Sequence, residues 1–328
     1  MGRESRLAAG AAWVLAAFVL LGIAATSGCA WIDTQQRARG YRPTPGTMAD
    51  WRPITERDEA LWLDLPATAA AAPAERPVDA PAEKRPAETQ QRLRALWIPA
   101  DDPAAPVVLY LHGTFRNVFQ NRPKIAAIRS AGLSVLAVDY RGWGESTTLL
   151  PSEQSIVEDA EVAWIELKRR AAKPDSRVIF GHSMGSGVAV ELALRHRDPL
   201  GYGALVVESG MTSMPEMVRD YGAIGVVLAP LVTQQFASIE KIGGIDAPKW
   251  FLSGTADRTV PPQQTQRLYD AARGVKHIEM FEGGSHSGLH REFEQRYQAI
   301  WRDVAASVRA GRDMPVSATA AHRSSTVP

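Results

Sequence analysis

Residues 177–196 read RVIFGHSMGSGVAVELALRH. Three patterns meet in this stretch. Val178-Ile179-Phe180 is a continuous apolar run, as in a strand buried on both faces. Gly181-His182-Ser183-Met184-Gly185 then breaks it with two glycines. After the break, Val188, Ala189 and Leu192 fall on one side of a predicted helix. The glycines lack the Cβ atoms that would block so sharp a turn. A serine in such a turn is held in a strained conformation, with its hydroxyl above the sheet. It also starts a helix, where the dipole and the Met184 N–H favour a developing oxyanion. Ser183 is therefore a candidate nucleophile, and the rest of the chain has to supply its partners.

Similar runs recur on both sides of this stretch. From Pro106 onward they are PVVLYLHG, LSVLAVDYRG, SRVIFGHSMG, GALVVESG, PKWFLSGTAD and VKHIEMFEGG, each ending in turn residues. All six read as strands buried on both faces. Helical periodicity lies between them, in Ile156, Ala160, Ala163, Trp164 and Leu167. It returns near the end in Leu289, Phe293, Tyr297, Ile300, Trp301, Val304 and Val308. Strand alternating with helix predicts an α/β fold, a mostly parallel sheet with helices on both faces. Functional groups then gather beyond the carboxyl ends of the strands. Upstream, Glu59–Pro66 and Gln91–Ala100 alternate apolar and polar residues, which predicts an antiparallel pair of half-buried strands.

A neutral serine needs a base. His286, in the Gly/Ser loop EGGSHSGLH after the last run, is placed to reach over the sheet. His290 competes but falls in the predicted terminal helix, and His182 should point away from the hydroxyl. His112 reads as a loop residue. The imidazole needs a carboxylate to fix its tautomer. Asp257, directly after KWFLSG and before Pro261-Pro262, is the first candidate, with Glu208 at another strand end as the alternative. The oxyanion needs a second N–H besides that of Met184. Thr114, in the HGTF turn after LYL, is the choice, and Phe115 is next.

The segments LYLHG, VDYRGWGES, GHSMGSG, SGTADRTVPP and GGSH stand in the order seen in the α/β-hydrolase superfamily. The chain most resembles a small-cap branch. That branch holds acyl-protein thioesterases, monoacylglycerol and lysophospholipid lipases, and bacterial α/β-hydrolase domain proteins. The resemblance runs from Pro106 to Arg309 and implies a serine hydrolase with a Ser183–His286–Asp257 triad. It implies a small acyl ester or thioester as substrate. An amidase or peptidase using the same triad, or a non-catalytic envelope lipoprotein, is the alternative. The fold itself hosts many chemistries. The segment between Glu208 and Lys249 would be a short cap. Its Met211, Met214 and Leu228 are candidate lining residues for an acyl pocket, against the plainer role of packing the cap onto the core.

The chain has 328 residues with a formal net charge of +1, which gives no electrostatic reason to expect nucleic acid. No metal-ligand cluster or dinucleotide fingerprint predicts a metal or cofactor. The single cysteine, Cys29, excludes an internal disulfide. It follows Arg3, Arg6, the uncharged run Leu7–Ala25 and the small residues TSG. That order reads as an export signal with a lipidation site at Cys29, holding the domain outside the cytoplasm on a membrane, on the periplasmic side in a bacterial host. An uncleaved transmembrane anchor is the alternative. The expected organisation is a leader or anchor over 1–29 and N-terminal strands over 30–105, with an Ala/Pro-rich linker at 67–88. The catalytic domain spans 106–310, and a disordered tail 311–328.

Overall fold

Apolar runs become strands of two kinds, buried in the middle of one sheet and half-covered at its edges. The computed structural model describes residues 28, 30–46, 52–66, 90–220 and 222–310. The leader with Cys29, the 67–88 stretch and the 311–328 tail lie outside the described residues. The strands are β1 (Glu59–Asp64), β2 (Arg92–Ile98), β3 (Val107–Leu111), β4 (Ser134–Val138), β5 (Arg177–His182), β6 (Ala204–Glu208), β7 (Lys249–Gly254) and β8 (Lys276–Phe281). They form one sheet in the order β1-β2-β4-β3-β5-β6-β7-β8. The alternating segments β1 and β2 pair antiparallel as expected, and β2 also runs antiparallel to β4. The remaining neighbours are parallel.

Strands β3 to β7 are buried along their whole length. The expectation that VKHIEMF is buried on both faces fails. It forms β8, the edge strand, and Lys276–Met280 are only half-buried. With a partner on one side alone, an edge strand needs no apolar residue at every position.

The helices are α1 (30–41), α2 (Arg122–Ser130), α3 (Glu153–Arg170), α4 (Met184–Arg195), α5 (Met214–Arg219), α6 (Ala223–Leu228), α7 (Ser238–Lys241), α8 (Pro262–Ala271), α9 (Leu289–Glu292) and α10 (Glu294–Ala310). Successive residues of β3 serve opposite faces, as the two-residue period requires. Leu109 and Leu111 join a core with Ile156 of α3 and Val188 of α4. Val108 and Tyr110 join one with Ile125 of α2 and Trp301 of α10. The Ser152 hydroxyl accepts the Ser155 N–H in a capping box that starts α3. The predicted terminal helix is broken. Phe293, with φ −133° and ψ 44°, separates α9 from α10. Helix α1 has no counterpart among the sequence expectations for 30–105.

The chain moves outward from β3 to β4, then crosses back over β3 to enter β5. This reversal opens a crevice at the carboxyl ends of β3 and β5, where α/β sheets place their sites. The segment between β6 and β7, with α5, α6 and α7, forms the cap. Among the described residues no helix is long and apolar enough to cross a membrane.

Candidate active site

The turn between β5 and α4 holds Ser183 at φ 57° and ψ −126°. A non-glycine residue pays about 1–3 kcal/mol for such a backbone. Its N–H donates to the Glu208 carbonyl (2.9 Å), and its carbonyl accepts from Ser186 N–H (2.8 Å). A Cβ on Gly181 would lie 2.2 Å from the Gly185 carbonyl oxygen, and one on Gly185 would lie 2.1 Å from that of Leu111. Gly187 makes room for Phe236 and Met211, both within 3.3 Å of where its Cβ would be.

His286 Nε2 lies 3.0 Å from Ser183 Oγ, and its Nδ1 lies 2.7 Å from Asp257 Oδ2. The other Asp257 oxygen accepts the N–H groups of Thr259 (2.8 Å) and Val260 (2.9 Å). Burial raises the Asp257 pKa. The bond to His286, its charge and the two N–H groups outweigh that and hold the carboxyl below its ordinary value. An ionised Asp257 accepts Nδ1–H, which leaves Nε2 to accept the Ser183 proton. The three predicted residues therefore meet in one hydrogen-bonded chain.

Gly113 brings the loop after β3 against the serine, since its Cβ would lie 3.0 Å from Ser183 Cβ. The buried His112 ring sits between the Gly113 carbonyl (Nδ1, 2.6 Å) and Asp139 (Nε2 to Oδ1, 3.3 Å). Across a trans peptide, holding the Gly113 carbonyl turns the Thr114 N–H the opposite way. Thr114, Phe115 and Arg116 line the cleft beside Ser183, with His182, His286 and Ser287. Met184 begins α4, where N–H groups lack partners within the helix.

The candidate acyl-pocket residues do not gather at this cleft. Met211 is 2% exposed and packs in the core, and Met214 packs partly buried against it. Leu228 lies 47% exposed on α6. Met211 therefore follows the plainer packing role. Of the alternatives for the triad, Glu208 is fully buried and engaged by Lys124 and by the Tyr297 hydroxyl (2.7 Å). His290 is buried, and burial first, then the Lys124 charge, lowers its pKa to about 4.

Two site residues escape the sequence reading. His182 has a role not foreseen, as its Nε2–H donates to the His286 carbonyl (3.0 Å). Ser209, at φ 49°, donates its hydroxyl to the same carbonyl (3.3 Å). Burial pulls His182 well below its ordinary pKa, and the charges of Lys124 and His286 act in the same direction, so it stays neutral. Lys124 had a legible signal. It falls on the face of α2 that carries Ala127 and Ile128, where a lysine must find a buried partner. Among the described residues no His/Cys/Asp/Glu group is arranged to hold a metal ion.

Residues 102–242 match the family described as Serine aminopeptidase, S33. An uncharacterised Mycobacterium tuberculosis protein is 34% identical over 188 residues, 56% of this chain and 64% of that protein. The lysophosphatidylserine lipase ABHD12 of Danio rerio is 32% identical over 190 residues, 53% of this chain and 49% of its own length. These matches span less than two thirds of either relative. An esterase of Pyrococcus furiosus superposes with a TM-score of 0.59 at 16% identity, over 82% of this chain and 97% of that one. The chain has the α/β-hydrolase fold, and its sequence is similar to these proteins over part of its length.

Proposed function

We propose that the protein hydrolyses carboxylic esters or thioesters through an acyl-enzyme on Ser183. The observation that carries this reading is the hydrogen-bonded chain from Ser183 Oγ through His286 to Asp257. In this reading His286 Nε2 takes the serine proton as Oγ attacks the carbonyl carbon. Asp257 stabilises the imidazolium that forms. The N–H groups of Met184 and Thr114 receive the oxyanion. His286 returns the proton to the leaving oxygen or sulfur, and water then repeats the sequence to release the acid. The esterase and lipase among the similar proteins support the ester reading.

Labelling with a fluorophosphonate probe tests the nucleophile. The wild-type protein should label and Ser183→Ala should not. Equal labelling of both, or of neither, rejects the assignment. A second reading, amide hydrolysis, is favoured by the matching family's description as an aminopeptidase. Paired p-nitrophenyl ester and p-nitroanilide substrates with one acyl group separate the two. Faster anilide turnover would favour the amidase. The leader and Cys29 further suggest attachment to a membrane, which globomycin-sensitive processing of the chain would test.

A further inference from the structure

Helix α6 is apolar on every side yet is not buried. Ile224 is 74% exposed and Val227 72%, and Val226, Leu228 and Leu231 are also exposed. The chain carries no charged residue between Asp220 and Glu240. A surface helix normally turns a polar face to water, and a contiguous apolar patch marks a surface that meets something.

Helix α1 indicates what that is. Its Asp33 accepts from the Thr233 hydroxyl (2.7 Å) and the Gln234 amide (3.0 Å) of the cap. Gln36 donates to the Leu231 carbonyl (2.7 Å) and accepts the Thr233 N–H (3.0 Å). These bonds fix α1 against the segment 231–234 that follows α6. Asp33 is also the first charged residue after Arg6, so the whole uncharged stretch from Leu7 ends at a residue pinned to the cap. Trp31 and Ile32, just before it, are exposed. Tryptophan next to a long apolar run is the usual residue of a bilayer interface.

At the other end, Arg42 lies over the Phe115 ring at the cleft (5.1 Å). At 1.5 Å per residue, α1 puts Trp31 only about 16 Å from that rim.

We propose that the exposed face of α6, together with Trp31 and Ile32, rests in a lipid bilayer, so that the cap forms a second membrane contact beside the N-terminal run. The occupant is a bilayer because the apolar run ends at this patch and shares its chemistry. The contact does not depend on the catalytic reading. It would present the cleft to substrates carried in the membrane.

The test uses the full chain bound to phosphatidylethanolamine/phosphatidylglycerol vesicles. An NBD label is placed through Val227→Cys, or through the exposed Val275→Cys at the far edge of the sheet, each with Cys29→Ser. An interfacial helix sits ~5–10 Å deep, so lipids with a shallow doxyl group should quench the Val227 label by about half or more. The Val275 label should be unaffected. In parallel, Ile224→Asp/Val227→Asp should lose turnover of a vesicle-borne ester and keep turnover of a soluble short-chain ester. Three outcomes overturn the proposal. The chain does not float with vesicles, the two labels are quenched alike, or the Val227 label is already shielded without vesicles, which would point to a protein partner.

Discussion

His182 acts on the reaction in this reading without touching Ser183 Oγ. Its neutral ring holds the His286 carbonyl, together with the Ser209 hydroxyl. His182→Phe should keep the volume and lose the donor. Misplacing a reacting group by about 1 Å can cost ~100-fold, so kcat should fall roughly 10- to 100-fold with KM little changed. His182→Gln, whose amide can donate in the same place, should recover much of the loss. Equal kcat in Phe and wild type would remove the positioning role. His290 makes a prediction of stability instead. Its ordinary pKa of 6.5 falls to about 4 in the fold. Between those values the unfolded chain binds a proton that the native chain does not. Stability is therefore lost as pH falls from 6.5 towards 4, by up to about 3 kcal/mol. Melting curves at pH 7 and pH 5 should converge in His290→Gln, with the share due to His182 remaining. An unchanged pH dependence would show that His290 is protonated in the fold. Ser183, Asp257 and His286 were legible because each sits at the end of its own strand, in an order that the fold dictates. The partners of His182, Ser209 and Lys124 were not. Those partners lie 77 to 104 residues away, so only the folded chain brings them together.

At the scale of the element, the turn between β5 and α4 is set by its neighbours as much as by its own sequence. Gly185 faces the Leu111 and His112 carbonyls at the end of β3. Gly185→Ala must therefore push α4 away from β3 or strain both. Overpacking of this kind costs about 1–3 kcal/mol, and it should also shift Ser183 from His286. Chemical denaturation together with the fluorophosphonate labelling rate measures both effects. Wild-type values for each would mean that the turn has slack. Pattern reading recovered all eight strands, six from apolar runs that end in turn residues and two from alternation. It misjudged β8, since a run of mixed apolar and polar residues does not show whether a further strand will cover it. It also joined α9 to α10. The periodicity passes through Phe293, but Glu292 turns back to accept the Ser285 N–H (2.8 Å) of the loop carrying His286. Helix α1 was missed because its amphipathic face is completed by the cap, some 200 residues later.

Across the whole molecule, one buried polar group joins α2, β6 and α10 to the site. Lys124 comes from α2, Glu208 from the end of β6 and Tyr297 from α10. The Glu208 carbonyl also holds Ser183 N–H, and its carboxylate lies 3.8 Å from His182 Nε2. Burial lowers the Lys124 pKa, and the charge and hydrogen bond of Glu208 push it back up. Neither charge reaches water, as Lys124 is 2% exposed and Glu208 0%. Removing one partner should therefore strand the other. Lys124→Met or Glu208→Gln alone should cost about 3–5 kcal/mol. Losing both leaves no uncompensated charge, so the double variant should cost clearly less than the sum of the two. Urea unfolding of the four proteins closes this cycle. If the two losses simply add, the pair is not coupled, and the buried lysine must be stabilised by some other group. A coupling energy without any change in kcat would separate stability from function. The pair would then support the fold, and His182 and Ser209 would hold the His286 carbonyl without its help.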